Sequence, residues 1–359
     1  MDTADRRFSP EARLRNARTL VWPVLPLAAA AWWVVGALPW IVDGLGSSSP
    51  RYWVADAVTG EASGGYITLL PFRAVFLPLL LALTLVGGAA AGVSVRWTRR
   101  DARRPVLGGF ASAVGALAAM AYTVAQSAGA TRQLGSDFDR DDRVLVGVVA
   151  VAVAGGLLGL VLGWCLAYGG PVAATLASAP LAVAAGAWTT RLVVVALGPD
   201  DAGSVVQWTS AATVGLVAGI GLARVGAAPA RRLGAWVALT VVVVVTQAAF
   251  SAFEHLAGRL RTGAGLPGAL RGLAGESRGV FLDALAPTHQ SWWWLVVAVG
   301  VGLAGAPLVR RARRVRGVPA ADSGRAAVRG SATATTSSVR PSDSGSVTGD
   351  PARADSTTR

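Results

Sequence analysis

The chain has 359 residues, of which 53% are hydrophobic and 15% charged, with a mean hydropathy of +0.51. That balance is too apolar for an ordinary soluble domain, so much of the surface must meet lipid. The formal net charge of +13 comes from 33 basic residues, all of them arginine, against 20 acids, and the basic patches lack the interleaved aromatics of a nucleic-acid surface.

A helix needs about 20 apolar residues to cross the hydrocarbon core. Eight stretches meet this requirement, at 20–42, 74–96, 105–128, 144–168, 171–197, 205–226, 233–253 and 291–309. Their Ala, Val, Leu and Gly content shows no period-two alternation, which excludes a membrane β-barrel. The expected fold class is therefore all-α: a polytopic membrane helical bundle of about eight transmembrane helices, built in one reading from two-helix hairpin units.

Residues 1–19 form a basic N-terminal segment in which Ser9-Pro10-Glu11 resembles a helix start. The following apolar run continues through Trp32-Trp33-Val34-Val35 and reads as an anchor, not a cleavable signal. Basic residues cluster at Arg6–Arg18, Arg96–Arg104, Arg224–Arg232 and Arg310–Arg316, on every second connection. The alternate connections hold acids: Asp43, Asp56 and Glu61; Asp137, Asp139, Asp141 and Asp142; Asp200 and Asp201; Glu254, Glu276 and Asp283. By the positive-inside rule both termini are expected in the cytoplasm and the acidic connections outside, in a cell membrane. Only the uncharged connection Tyr168-Gly169-Gly170-Pro171 is a weak link in that alternation. Tryptophans agree with it: Trp22, Trp97, Trp164 and Trp236 fall at inner ends, and Trp40, Trp188, Trp208 and Trp292-Trp293-Trp294 at outer ends. Trp32 and Trp33 lie mid-span and read as packing or lipid-facing residues.

The even-numbered spans carry small residues at four-residue spacing: Gly88 and Gly92; Gly155, Gly159 and Gly163; Gly215 and Gly219; Gly300 and Ala304. Such spacing lets helix backbones approach closely. The outer connection 254–290 mixes leucines with Arg259, Arg261, Arg271 and Arg278 and is broken near Gly263–Pro267, which predicts one or two amphipathic helices on the outer face, a lid or a plain interfacial loop. Residues 311–359 become basic and then rich in Ser and Thr, the composition of a disordered tail.

Ionisable residues inside a membrane are expensive and are functional candidates. The eight stretches contain no Asp or Glu, which weighs against a proton- or sodium-coupled transporter. Arg73 and Arg191 stand out at outer depth, either binding an anionic lipid head group through the planar guanidinium, or snorkelling to the outer headgroups or pairing with Asp200 or Asp201. Gln126 and Gln247, at similar depth, suit interhelical hydrogen bonds. Asp137–Asp142 alternates carboxylates but lacks Gly at its sixth position and Glu at its twelfth, so it is no EF-hand; it reads as a solvated loop, or else as a metal-diphosphate site. His255 and His289 lack a third zinc ligand, and Cys165 is single, so no metal, cofactor or disulfide is expected.

Three functional readings follow. The first is a non-catalytic accessory or scaffolding protein acting through the bilayer and membrane-protein partners. The second is a transporter or permease component, and the third an enzyme acting on a lipid phosphate at the outer leaflet with Arg73, Arg191 and the Asp137–Asp142 loop as its parts.

Overall fold

The computed structural model describes residues 23–46, 68–98, 105–134, 139, 141–198, 201–226, 232–260 and 266–315; the N-terminal basic segment and the Ser/Thr-rich tail lie outside them. Among these residues there is no strand. The first span is α1 (Val24–Ala31), a π-helical turn (Trp32–Ala37) and α2 (Leu38–Gly46). Next come a 3-10 turn (Ala74–Phe76) leading into α3 (Leu77–Ser94), then α4 (Pro105–Leu134), α5 (Asp142–Tyr168), α6 (Pro171–Leu197), α7 (Gly203–Val225) and α8 (Leu233–Leu260). A shorter helix, α9 (Leu266–Ala284), precedes α10 (Trp293–Val315). The protein is thus an all-α polytopic membrane bundle. Among the described residues seven helical segments are long and apolar enough to span, and the eighth expected span is represented by the shorter apolar stretch Trp293–Val309.

Helix ends follow local chemistry. Pro171, which has no N–H to lose, starts α6 directly after Gly169-Gly170, so the uncharged connection does separate two helices. Gly198 (φ 83°) and Gly226 (φ 71°) stop α6 and α7 in a conformation that only glycine adopts cheaply. The π-helical turn has an equally specific cause. Pro39 has no N–H to give the carbonyl of Val35 four residues back, while the Leu38 N–H reaches Trp33 O instead. Trp188 of α6 fills the gap, donating Nε1–H to Val35 O at 2.7 Å. An expected interfacial anchor is therefore also a repair of the backbone.

Glycine does set the tightest packing. A Cβ on Gly92 would lie 2.6 Å from Leu160 O, and on Gly88 or Gly159 it would strike the backbone of the facing helix, so α3 and α5 touch main chain to main chain. Gly215 and Gly219 of α7 do the same against Trp294, Val297, Ala298 and Val301 of α10. The expected partner pair Gly300 and Ala304 does not take part: Gly300 faces open space and Ala304 is exposed. Gly302 and Gly305, two positions round the helix, meet Leu222 and Ala223 instead. Both seams join spans two apart in the chain, the second with the fourth and the sixth with the eighth. Trp32, buried at 1% exposure, packs its ring against the glycines of the first seam, whereas Trp33 points outward and leans on Tyr122 at 6.0 Å.

Gly159→Val should lower stability by about 3 kcal/mol or more, because the seam has only backbone to move. Gly300→Val should be close to neutral. Thermal unfolding of both variants in detergent checks the contrast, and equal losses would refute the seam.

Candidate functional site

Two polar groupings lie near the ends of the spans. The first is built around a stretch of buried backbone that is not helical. Thr68, Leu70, Pro71 and Phe72 are buried between the first span and α4, so their peptide groups cannot rely on water and must find partners within the protein. The polar face of α4 supplies them. Gln126 Oε1 accepts from Leu69 N–H at 3.1 Å, Ser127 Oγ accepts from Leu70 N–H at 3.0 Å, and the Thr131 hydroxyl donates to Phe72 O at 3.2 Å. Trp40 Nε1–H donates to Thr68 O at 3.0 Å. Gln126 does hydrogen-bond within the bundle, but its partner is the backbone amide of this non-helical segment and not the neighbouring helix expected for it.

Asp139 completes this grouping. It is 7% exposed, accepts from the Ala74 N–H at 3.2 Å through Oδ1, and takes Arg73 Nε at 3.4 Å through Oδ2. Asp139 therefore caps the turn that opens the second span and neutralises Arg73, whose partner is not Asp201 of the connection before α7. Asp141 likewise caps α5, accepting from Arg143 N–H at 2.8 Å. The solvated-loop reading needs correcting at Asp139, which is buried and structural; Asp137 lies outside the described residues.

The second grouping is a cavity of about 670 Å³, within the size range of small-molecule sites. Its walls come from the start of α3, from α6, α7 and α8, and from α9 with the segment that follows it. Arg191 of α6, Gln247 and Glu254 of α8, Asp283 of α9 and Gln290 are its charged and amide side chains, with Phe250 among the apolar ones. Arg191 is braced by Trp40, whose ring centre lies 5.9 Å from the guanidinium carbon, a cation–π distance. Trp40 also meets Phe76 at 5.4 Å, so aromatic rings link the two groupings. Arg73 and Asp139 are not among the cavity's lining residues. The parts once grouped for a lipid-phosphate site thus divide: Arg73 joins Asp139, and Arg191 faces the cavity.

One cavity residue was not expected within a span. The apolar run of the seventh stretch ends at residue 253, yet α8 continues to Leu260, placing Glu254 on the same helix as Gln247, two turns further on. Its carboxylate is exposed in the cavity wall. The spacing of seven residues could have revealed the shared face, but the change from apolar to mixed composition hid the helix's continuation. Gln247 Oε1 is itself buried with no hydrogen-bond partner, so it does not make the interhelical bond expected of it.

The amphipathic connection forms a real helix, α9, tied to α8. Glu276 Oε2 accepts from Arg259 Nε at 3.1 Å and Nη2 at 3.0 Å, and His255 Nε2 lies 3.6 Å away. The Arg259 hydrogen bonds and charge, helped by His255, hold the Glu276 carboxyl below the usual carboxylate range. His255 thus lies beside the Arg259–Glu276 pair without a hydrogen bond from Nε2, and no group of three metal-ligating side chains occurs among the described residues. The side chain of His289 lies outside them. Comparison with protein-family models, with curated proteins and with solved structures yields no match.

Asp139→Ala should cost about 2–4 kcal/mol, since it strands a buried N–H and an arginine together, while Asp142→Ala, at an exposed position, should cost well under 1 kcal/mol. Detergent unfolding curves would show the difference. The Glu276 tie has a defined pH dependence. Its folded carboxyl is depressed, so its contribution is complete above the ordinary carboxylate value of about 4.3 and disappears as pH falls through the lower folded value. Protection of the α9 amides against hydrogen exchange, taken relative to the intrinsic rate at each pH, should therefore fall below about pH 4, and Glu276→Gln should show that lower protection at neutral pH; protection in wild type that does not change with pH would exclude the tie.

Proposed function

We propose that the protein is a non-catalytic accessory protein of the plasma membrane, with both termini in the cytoplasm, that acts by binding a small polar molecule in the outer cavity. The observation that carries this reading is the concentration of Arg191, Glu254, Asp283, Gln247 and Gln290 around one open space of about 670 Å³. Among the described residues, hydroxyls within the spans such as Thr84, Thr123, Thr213 and Thr246 donate to carbonyls of their own helices.

The sidedness rests on the alternation of Arg-rich and acidic connections. A lipid-phosphate enzyme has less support, because Arg73 and Asp139 pair with each other while Arg191 lines a separate cavity whose wall also holds two carboxylates. An anionic head group at Arg73 and Arg191 meets the same obstacle. One observation favours a transporter component as the second reading: Glu254 sits on a spanning helix and faces the cavity, the position of a coupling carboxylate.

The test is mass spectrometry of the protein purified with its native membrane. Wild type should retain a small polar molecule that both Arg191→Ala and the cavity-filling Ala187→Trp lose, at unchanged thermal stability. Recovery of bulk lipid alone from all three proteins would reduce the cavity to a structural gap. Flux of the retained molecule into sealed vesicles would select the transporter reading.

A further inference from the structure

Resting on the reading of the cavity as a binding site, we propose that its ligand is a neutral polyhydroxyl compound, a free sugar or polyol, held by Thr190, Ser210, Gln247, Ser251 and Glu254. The observation that points this way is a contrast between neighbouring residues on three helices. In α6, Thr189 donates its hydroxyl to Ala185 O at 2.9 Å, as hydroxyls on helices commonly do, while Thr190, in the cavity wall, forms no hydrogen bond. In α7, Thr209 donates to Val205 O at 2.7 Å, while Ser210, in the wall, forms none. In α8, Thr246 donates to Val242 O at 2.7 Å, while the side chains of Gln247 and Ser251, in the wall, form none. Among the described residues Glu254 likewise has neither a hydrogen bond nor an ion pair. Hydroxyls beside the wall are thus satisfied by their own helices, and those in it are left open.

The open groups decide what would answer them. Gln247 Oε1 is buried and has no donor, which is costly unless a ligand or water supplies one. Glu254 accepts only, whereas the hydroxyls of Thr190, Ser210 and Ser251 both donate and accept. An anion would answer the hydroxyls and leave Gln247 Oε1 and Glu254 without a donor. An ammonium compound would answer the acceptors and leave the hydroxyl protons unused. A ligand hydroxyl gives and takes at once, and two on adjacent carbons can both donate to one carboxylate.

Spacing adds that the ligand carries several such groups. Gln247, Ser251 and Glu254 stand at intervals of four and three residues on α8, a stripe on one helix face about 10 Å long. Thr190 of α6 and Ser210 of α7 belong to the same wall, so the open groups come from three helices. Phe250 gives the apolar C–H face of a sugar ring an aromatic surface. Arg191 and Asp283 each interact with other groups of the protein, and a neutral ligand needs no net charge on the wall and brings no ion to desolvate.

The experiment is isothermal titration of the full chain in phosphatidylcholine nanodiscs with glycerol, sorbitol, glucose and trehalose, and with putrescine and citrate as charged comparisons. Saturable binding of at least one polyol or sugar is expected, with putrescine and citrate silent. Ser210→Ala, Ser251→Ala and Gln247→Leu should each weaken it about three- to tenfold, as loss of one hydrogen bond does, and Glu254→Gln by about tenfold or more. Thr189→Val and Thr209→Val, beside the wall, should leave it unchanged. If Gln247→Leu or Glu254→Gln does not fold, Ser251→Ala, at an exposed position, decides: weaker binding supports the assignment, and equal binding overturns it. Binding of putrescine or citrate in place of the polyols overturns the ligand class, and polyol binding indifferent to every wall variant overturns the residues assigned to it. Silence from every probe overturns the proposal, while the site itself still stands if the purified protein retains a small molecule that Arg191→Ala and Ala187→Trp lose.

Discussion

Peptide groups at membrane depth have no water to fall back on, and wherever this chain departs from a regular helix it must bring a side chain to the vacancy. Pro39 removes one donor from the first span, and Trp188 from the fifth replaces it at Val35 O. The buried stretch from Thr68 to Ala74 removes several more, and Gln126, Ser127, Thr131, Trp40 and Asp139 replace them. One end of the bundle is organised by these repairs. They fix the first span against α6 and the entry to α3 against α4, and through Trp40 they set the platform on which Arg191 rests.

Glycine sets the other half of the architecture. Where α3 meets α5 and α7 meets α10, helices approach until only backbone separates them, which gains dispersion contact that lipid-facing leucines could not provide. Small residues at four-residue spacing were legible in the sequence, and for three of the four sets the seams lie where that spacing put them. The fourth failed for a geometric reason. In α10 glycines or alanines stand at 300, 302, 304, 305 and 306, so several faces of the helix satisfy a small-residue rule, and only packing against Leu222 and Ala223 distinguishes 302 and 305 from 300 and 304. Spacing identifies a helix able to pack closely, but a glycine-rich helix leaves its contact face undetermined.

The site was legible in pieces. Arg191, Arg73, Gln126 and Gln247 declared themselves because polar side chains in apolar runs are costly and rare. Their partners did not, since Arg73 meets Asp139 across 66 positions and Trp188 meets Val35 across 153, distances over which no local pattern operates. Glu254 was obscured differently. An apolar run marks where lipid ends, whereas a helix ends where its hydrogen bonding does, and α8 outlasts its apolar run by seven residues before stopping at Leu260. A carboxylate in that overhang belongs to neither the span nor the loop by composition, yet in space it lines the cavity.

The same economy distinguishes a structural polar residue from a functional one. Asp139, Gln126 and the span hydroxyls each terminate on a backbone group of known identity, so their presence is explained once the fold is drawn. Gln247 is not explained in this way. Its carbonyl oxygen is buried beside an open space, and an apolar residue of similar shape would pack there without leaving an acceptor stranded. Glu254 extends the same reasoning along the helix: a carboxylate on α8 that served solubility alone would do so equally well on a face turned to solvent, yet it shares the cavity wall with Gln247, seven residues before it on the same helix.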